Sequence, residues 1–213
     1  RNPLTPIQLT IDRLREKYSN LLKEKDSENF KDNLKIINNQ IKQIGNLVNE
    51  FSDFARMPKP TLRKNNLVNL LKENIKLLKE LDNSIEIDLS SNSEKIILNS
   101  DKEQISRVFL NLIKNSIESI QQKTENDSNF NKKITIELME NDGHINLVIV
   151  DNGIGFGKFS ENIKDILNPY FTTKKNGTGL GLSIVNKIIN DHNGKIEFIP
   201  RNDGAEIKIN FIK

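Results

Sequence analysis

The sequence predicts an α+β protein: an N-terminal helical hairpin, half of a dimeric four-helix bundle, followed by an α/β sandwich. Three observations predict it. Apolar residues step by three and four through the first quarter of the chain. Pro58-Lys59-Pro60 then interrupts that pattern, and a helix cannot continue through it. Beyond the prolines, helical periods alternate with short segments of period two.

The first seam is Leu4, Ile7, Ile11, Leu14, Tyr18 and Leu21. The second is Phe30, Leu34, Ile37, Ile41, Ile44, Val48, Phe51 and Ala55. Lys25-Asp26-Ser27-Glu28-Asn29 separates them and reads as a turn. Two such stripes packed together leave a raw apolar face, so the hairpin is expected to complete a four-helix bundle with a second copy. Packing on its own C-terminal domain is the alternative. The expected domains are 1–57 for the hairpin, 58–64 for a linker and 65–213 for the rest.

In the second part, Leu67, Leu70, Leu71, Ile75 and Leu78 predict a helix over Asn66 to Leu81. Ile85 to Leu89 alternates as a strand. Lys102 to Gln122 is an amphipathic helix introduced by Asp101 or a nearby cap. Ile134 to Leu138 and Ile145 to Val150 are strands, with a polar connection over Asn126 to Lys133 before them. Thr178 to Asp191 reads as a helix stopped by His192-Asn193-Gly194. Ile196 to Ile199 and Ala205 to Ile212 are strands joined by the turn Arg201-Asn202-Asp203-Gly204. The sheet is expected to be antiparallel or mixed, with helices on one face.

Composition narrows the function. The 213 residues include no Cys, which excludes a disulfide scaffold, a Cys-ligated zinc and a thiol nucleophile. Two His residues exclude a His-rich metal site. Lys+Arg 32 against Asp+Glu 29 gives a net charge of +3, too balanced for a nucleic-acid surface. Mean hydropathy is -0.55, and no apolar run approaches the roughly 20 residues of a membrane helix.

Three clusters carry chemistry. Asn111 and Asn115 are four apart on the helix from Lys102, so their amides share one face. An amide oxygen is a hard neutral ligand suited to Mg²⁺, and Lys114 between them could offer a point charge to phosphate. Read alone, the pair is better explained as two surface amides in an Asn-rich chain. Asp151-Asn152-Gly153-Ile154-Gly155 follows a strand, and its glycines let the backbone approach a ligand. Asp151 can accept from an exocyclic amine such as that of adenine; a glycine-rich turn is the alternative. Lys174 precedes Gly177-Thr178-Gly179-Leu180-Gly181-Leu182, which runs into a helix. Backbone N–H groups there suit phosphate, and such a loop can close over a nucleotide. A plain surface loop is the alternative. The run matches neither the P-loop nor the dinucleotide pattern.

In this order the clusters resemble the nucleotide-binding domain of the GHKL ATP-binding superfamily, over roughly Asn65 to Lys213. Asn111 to Asn115 matches the N box, Asp151 to Gly155 the G1 box and Gly177 to Gly181 the G2 box. Pro169 to Lys174, with Phe171, matches the F box between them. The resemblance implies that Asn115 binds Mg²⁺, Asp151 reads the adenine amine and Ile154 flanks the base. It also implies that Lys174 and the G2 backbone contact the phosphates of ATP or ADP. Hydrolytic members carry a general-base Glu four residues before the metal-binding Asn; here that position is Asn111, so a kinase is expected rather than an ATPase.

Arg1-Asn2-Pro3-Leu4-Thr5-Pro6-Ile7 is similar to the end of the H box of sensor histidine kinases, most of all the NtrY-like nitrogen-regulation type. That resemblance implies a phosphoacceptor His three residues before Arg1, with an acidic general base beside it. It implies Asn2 as the residue that positions water in a phosphatase reaction. His144 and His192 lie in the second domain and are not expected to accept phosphate. This chain is therefore expected to bind Mg-ATP without autophosphorylating, while its parent passes the phosphoryl group on to an Asp of a response regulator. A homodimer through the hairpin is implied, as is the cytoplasmic portion of a membrane-anchored bacterial sensor. The rival readings are a non-catalytic nucleotide-binding regulator or dimerisation module, and a GHKL-type ATPase.

Overall fold

The computed structural model describes residues 4–18, 24–80, 83–124, 130–156, 163, 165–174 and 177–213. These form two compact units, one of residues 1–57 with 173–178 and one of 58–172 with 179–213.

In the first unit, α1 (Thr5–Tyr18) and α2 (Glu24–Ala55) pair as a hairpin. Its own core is thin: Ile11, Leu34 and Ile41 are buried, with Leu4 and Phe30 against them. Tyr18 meets Phe30 edge-on at 6.4 Å between ring centres. The turn expected at Lys25 to Asn29 is instead the first part of α2. Charged residues there lack apolar period but are compatible with an exposed helical start. Ile37, Ile44, Val48 and Phe51 remain close to half exposed on α2.

The second unit begins with β1 (Arg63–Asn66) and α3 (Leu67–Lys79), followed by β2 (Glu86–Ser91) and β3 (Ile97–Ser100). Then come α4 (Lys102–Thr124), β4 (Lys133–Asn141), β5 (His144–Asp151), α5 (Gly181–Asp191), β6 (Gly194–Pro200) and β7 (Ala205–Ile212). β1 and β3 make a small antiparallel sheet, and the main sheet runs β2-β4-β5-β7-β6. Only the β2–β4 pairing is parallel, so the sheet is mixed.

The register explains the core. Ile136 pairs with Ile149, and Ile149 with Ile207. Leu138, Leu147 and Ile209 form the next rung on the same face. These residues are fully or almost fully buried, together with Leu112, Ile113 and Ile120 of α4 and Val185, Ile188 and Ile189 of α5. Each side chain so buried contributes about 1.5–3 kcal/mol.

Caps set the helix ends. Asn66 Oδ1 accepts from Val68 N at the start of α3. Asp101 Oδ1 accepts from Glu103 N and Gln104 N at the start of α4. Its other oxygen accepts from Thr61 N at 2.8 Å, tying residues just after the prolines to α4. The helix expected from Thr178 begins only at Gly181, because Gly179 takes φ +70°. At its far end Asn193, with φ 55°, makes the reversal, and Gly194 already belongs to β6.

Candidate functional site

Asp151 is placed by strand alternation. Ile145, Leu147, Ile149 and Asp151 all point to the helix side of β5. The last of the four is a carboxylate, 4% exposed, where three apolar residues precede it. Burial pushes its carboxyl up from the ordinary value; hydrogen bonds from Gly153 N and Ser116 Oγ, each 3.0 Å, oppose that shift. Ser119 Oγ approaches the same group without hydrogen-bond geometry and has no partner among the described residues.

The loop after Asp151 lies tight on α4. A Cβ on Gly153 would come within 2.6 Å of the Ser119 carbonyl carbon and 2.8 Å of Ile120 N, so only glycine fits there. Ile154 N donates to Ser119 O at 3.3 Å, and the Ile154 side chain is 48% exposed. On the other side Gly204, at φ +88°, sits against Asp151: a Cβ would reach to 1.8 Å from the Asp151 carbonyl oxygen. Gly155 in turn lies against Gly204 O.

One stripe of α4 links the parts. Asn111, Asn115 and Ser119 recur every four residues, and about 12 Å of helix separates the first from the last. Asn111 Oδ1 lies at the α5 N-terminus, 3.7 Å from where a Cβ on Gly181 would stand. Ser119 lies at the Asp151 end. Asn115 is between them and half-buried. Lys114 is on the exposed face and pairs with Glu118 at 3.8 Å.

The chain before α5 folds against the segment carrying Phe171. Tyr170 N donates to Gly179 O at 3.1 Å, and Gly179 stacks closely on the Tyr170 backbone. Leu180 is buried at the N-cap position of α5, and Leu182 follows in its first turn. Phe171 N donates to Asn168 O. Lys174, Gly177 and Thr178 belong to the first unit, where Gly177 N donates to Lys174 O and Thr178 Oγ1 donates to a Glu50 carboxylate oxygen. The structure therefore gathers Asn111, Asn115, Asp151, Gly153, Ile154, Gly155, Gly179, Gly181 and their neighbours in one unit. It does not gather Lys174, Gly177 and Thr178 there. Asn2 lies outside the described residues.

Sequence reasoning missed Ser116, Ser119 and Gly204. The serines sit one residue after Asn115 and one turn beyond it, a signal visible only once Asp151 is known to face α4. Gly204 was legible only as a turn residue.

The donor set suits a purine nucleotide with a divalent ion. A buried carboxylate beside an orphaned hydroxyl matches an N–H₂ group and a ring nitrogen. Among the described residues no three His, Cys, Asp or Glu side chains gather to hold a metal. A single amide such as Asn115 suits Mg²⁺, which keeps waters and takes phosphate oxygens for the rest.

Comparison with known proteins agrees. Residues 100–212 match the family described as histidine kinase-, DNA gyrase B- and HSP90-like ATPase, which implies ATP as the nucleotide. Residues 1–60 match the His kinase A (phospho-acceptor) domain. A sensor histidine kinase of the NtrY-like type from Rickettsia felis is 37% identical over 99% of this chain and 34% of its own length. The chain thus spans about a third of that relative. The catalytic domain of histidine kinase ThkA matches with a TM-score of 0.61 at 29% identity, over 71% of this chain and 95% of that one. ThkA in complex with response regulator protein TrrA matches with a TM-score of 0.70 at 24% identity, over 100% of this chain and 58% of that one. The chain belongs to the histidine kinase-, DNA gyrase B- and HSP90-like ATPase family, with a match to the His kinase A (phospho-acceptor) domain at residues 1–60.

Proposed function

We propose that the second unit binds Mg-ATP along the Asn111–Asn115–Ser119 stripe of α4. The buried Asp151 carboxylate, facing α4 at the end of an otherwise apolar strand face, is the observation that carries this reading. Asp151 accepts the adenine amine, and Ile154 covers the base. Asn115 holds Mg²⁺, and the N–H groups at the start of α5 meet phosphate oxygens. By the family resemblance, Lys174, Gly177 and Thr178 also contact the phosphates. The Asn111 amide cannot take a proton from water, so the site favours phosphoryl transfer over hydrolysis. The bound ion supplies charge neutralisation at the transferring group; the chain's residues position the nucleotide.

In the parent protein the acceptor is a His of the hairpin domain, just before Arg1, and the phosphoryl group passes from it to a response-regulator Asp. The fold likeness to ThkA, solved with a response regulator, supports that partner. The apolar face of α2 supports dimerisation of residues 1–57, with 58–64 as linker and 65–213 as the ATP-binding domain. Asn2 orients the water that hydrolyses the phosphorylated Asp of the regulator, releasing phosphate. His144 and His192 are not acceptors: His144 opens β5, and His192 is buried with its Nε2 accepting from Asp101 N at 3.0 Å.

Titration with ATP in the presence and absence of Mg²⁺ tests the reading. Wild-type binding should tighten with Mg²⁺, and Asn115→Ala should lose most of that gain. An unaltered metal dependence in the variant would overturn the assignment of Asn115.

A further inference from the structure

We propose that Lys123 is a positioning residue for base recognition: its ammonium fixes the backbone that aims the Asp151 carboxylate. The inference rests on the nucleotide reading above and deepens it. Lys123 stands in the last turn of α4, where a cation is ordinarily explained by the helix dipole. Its contacts go further. Lys123 Nζ donates to the Asn152 carbonyl at 2.8 Å and pairs with the Asp203 carboxylate. It also lies 4.8 Å from the centre of the Phe130 ring. One side chain, 26% exposed, thereby joins the end of α4, the loop after β5, the β6–β7 turn and the approach to β4.

Those attachments bracket Asp151. The carbonyl after it is held by Lys123. Its own carbonyl is contacted by Gly204, the neighbour of the Asp203 that Lys123 also holds. Asn152 is pinned from the far side: its N donates to Lys133 O at 3.3 Å and its Oδ1 accepts from Lys133 N at 2.9 Å. The peptide between Asn152 and Gly153 is thus held at its carbonyl by Lys123, and the N–H at its other end is the one that fixes the carboxylate. Gly153, whose N–H donates to that carboxylate, follows directly. Removing Lys123 frees this peptide without touching the groups placed near phosphate or metal.

The test compares Mg-ATP with Mg-tripolyphosphate, which has no base, on the full chain. Lys123→Met should weaken ATP binding about tenfold and leave tripolyphosphate binding unchanged. Lys123→Arg should restore most of the ATP affinity. Combined with Asp151→Asn, Lys123→Met should add nothing further, because both act through one contact. Asp203→Ala, at a position 69% exposed, should show the same pattern at about threefold; it serves if Lys123→Met does not fold. Equal loss of ATP and tripolyphosphate, full additivity with Asp151→Asn, or unchanged ATP binding in both single variants would overturn the proposal. If Asp151→Asn weakens ATP binding and the Lys123 and Asp203 variants do not, the nucleotide reading stands and this inference falls. If Asp151→Asn itself leaves ATP affinity unchanged, the nucleotide reading fails first.

Discussion

Asp151 shows how a buried carboxylate costs stability. Its carboxyl is raised by burial, so in the folded chain it holds a proton that the unfolded chain has already lost. Between the ordinary value of about 3.9 and the raised folded value, the native state binds more protons than the unfolded one. Stability therefore falls as pH rises through that window. Asp151→Asn keeps an acceptor oxygen for Gly153 N and offers an amide N–H that the Ser116 hydroxyl can accept, while removing the buried charge. In the absence of nucleotide it should raise the melting temperature at neutral pH and give no gain well below pH 4. A melting curve at each pH checks this; a lower neutral melting temperature in the variant contradicts it. Asp151, Asn115 and the glycines could be picked out from the sequence because each is a residue type with few other uses in that pattern. Ser116, Ser119 and Lys123 could not, since a helical serine or a terminal lysine looks the same whether or not a carboxylate lies across from it.

At the scale of elements, period two and period 3.6 located the large pieces. β7 matches its expected span of Ala205 to Ile212. β1 and β3 were invisible because each has four residues and a polar face, too short for a period to register. The polar start of α2 reads as a turn for the related reason that charge without apolar period carries no helical signal. Asp101 makes an element-level prediction. Burial raises its carboxyl, but N–H bonds from Thr61, Gln104 and Glu103 outweigh burial and hold it below the ordinary range. Its contribution is present above the unfolded value and is lost as pH falls through the lowered folded one. Asp101→Ala should cost about 1 kcal/mol, with the cap of α4 and the anchor of Thr61 lost together. Chemical denaturation at neutral pH measures it; no change in midpoint would contradict the capping role.

For the molecule as a whole, the hairpin's apolar core among the described residues is Ile11, Leu34 and Ile41, while Ile37, Ile44, Val48 and Phe51 stay near half exposure. Sedimentation should give twice the 24.4 kDa chain mass. Asp substitutions at Ile44 and Phe51 should shift it to monomer and leave ATP affinity unchanged; a wild-type monomer at micromolar concentration contradicts dimerisation through this face. The central claim is the orientation of the nucleotide on α4. A crystal structure of the chain with Mg²⁺ and a non-hydrolysable ATP analogue tests it most directly. The adenine amine should lie within hydrogen-bond distance of the Asp151 carboxylate, with the ion on Asn115 Oδ1. A base turned away from Asp151, or an ion that does not touch Asn115, would contradict it.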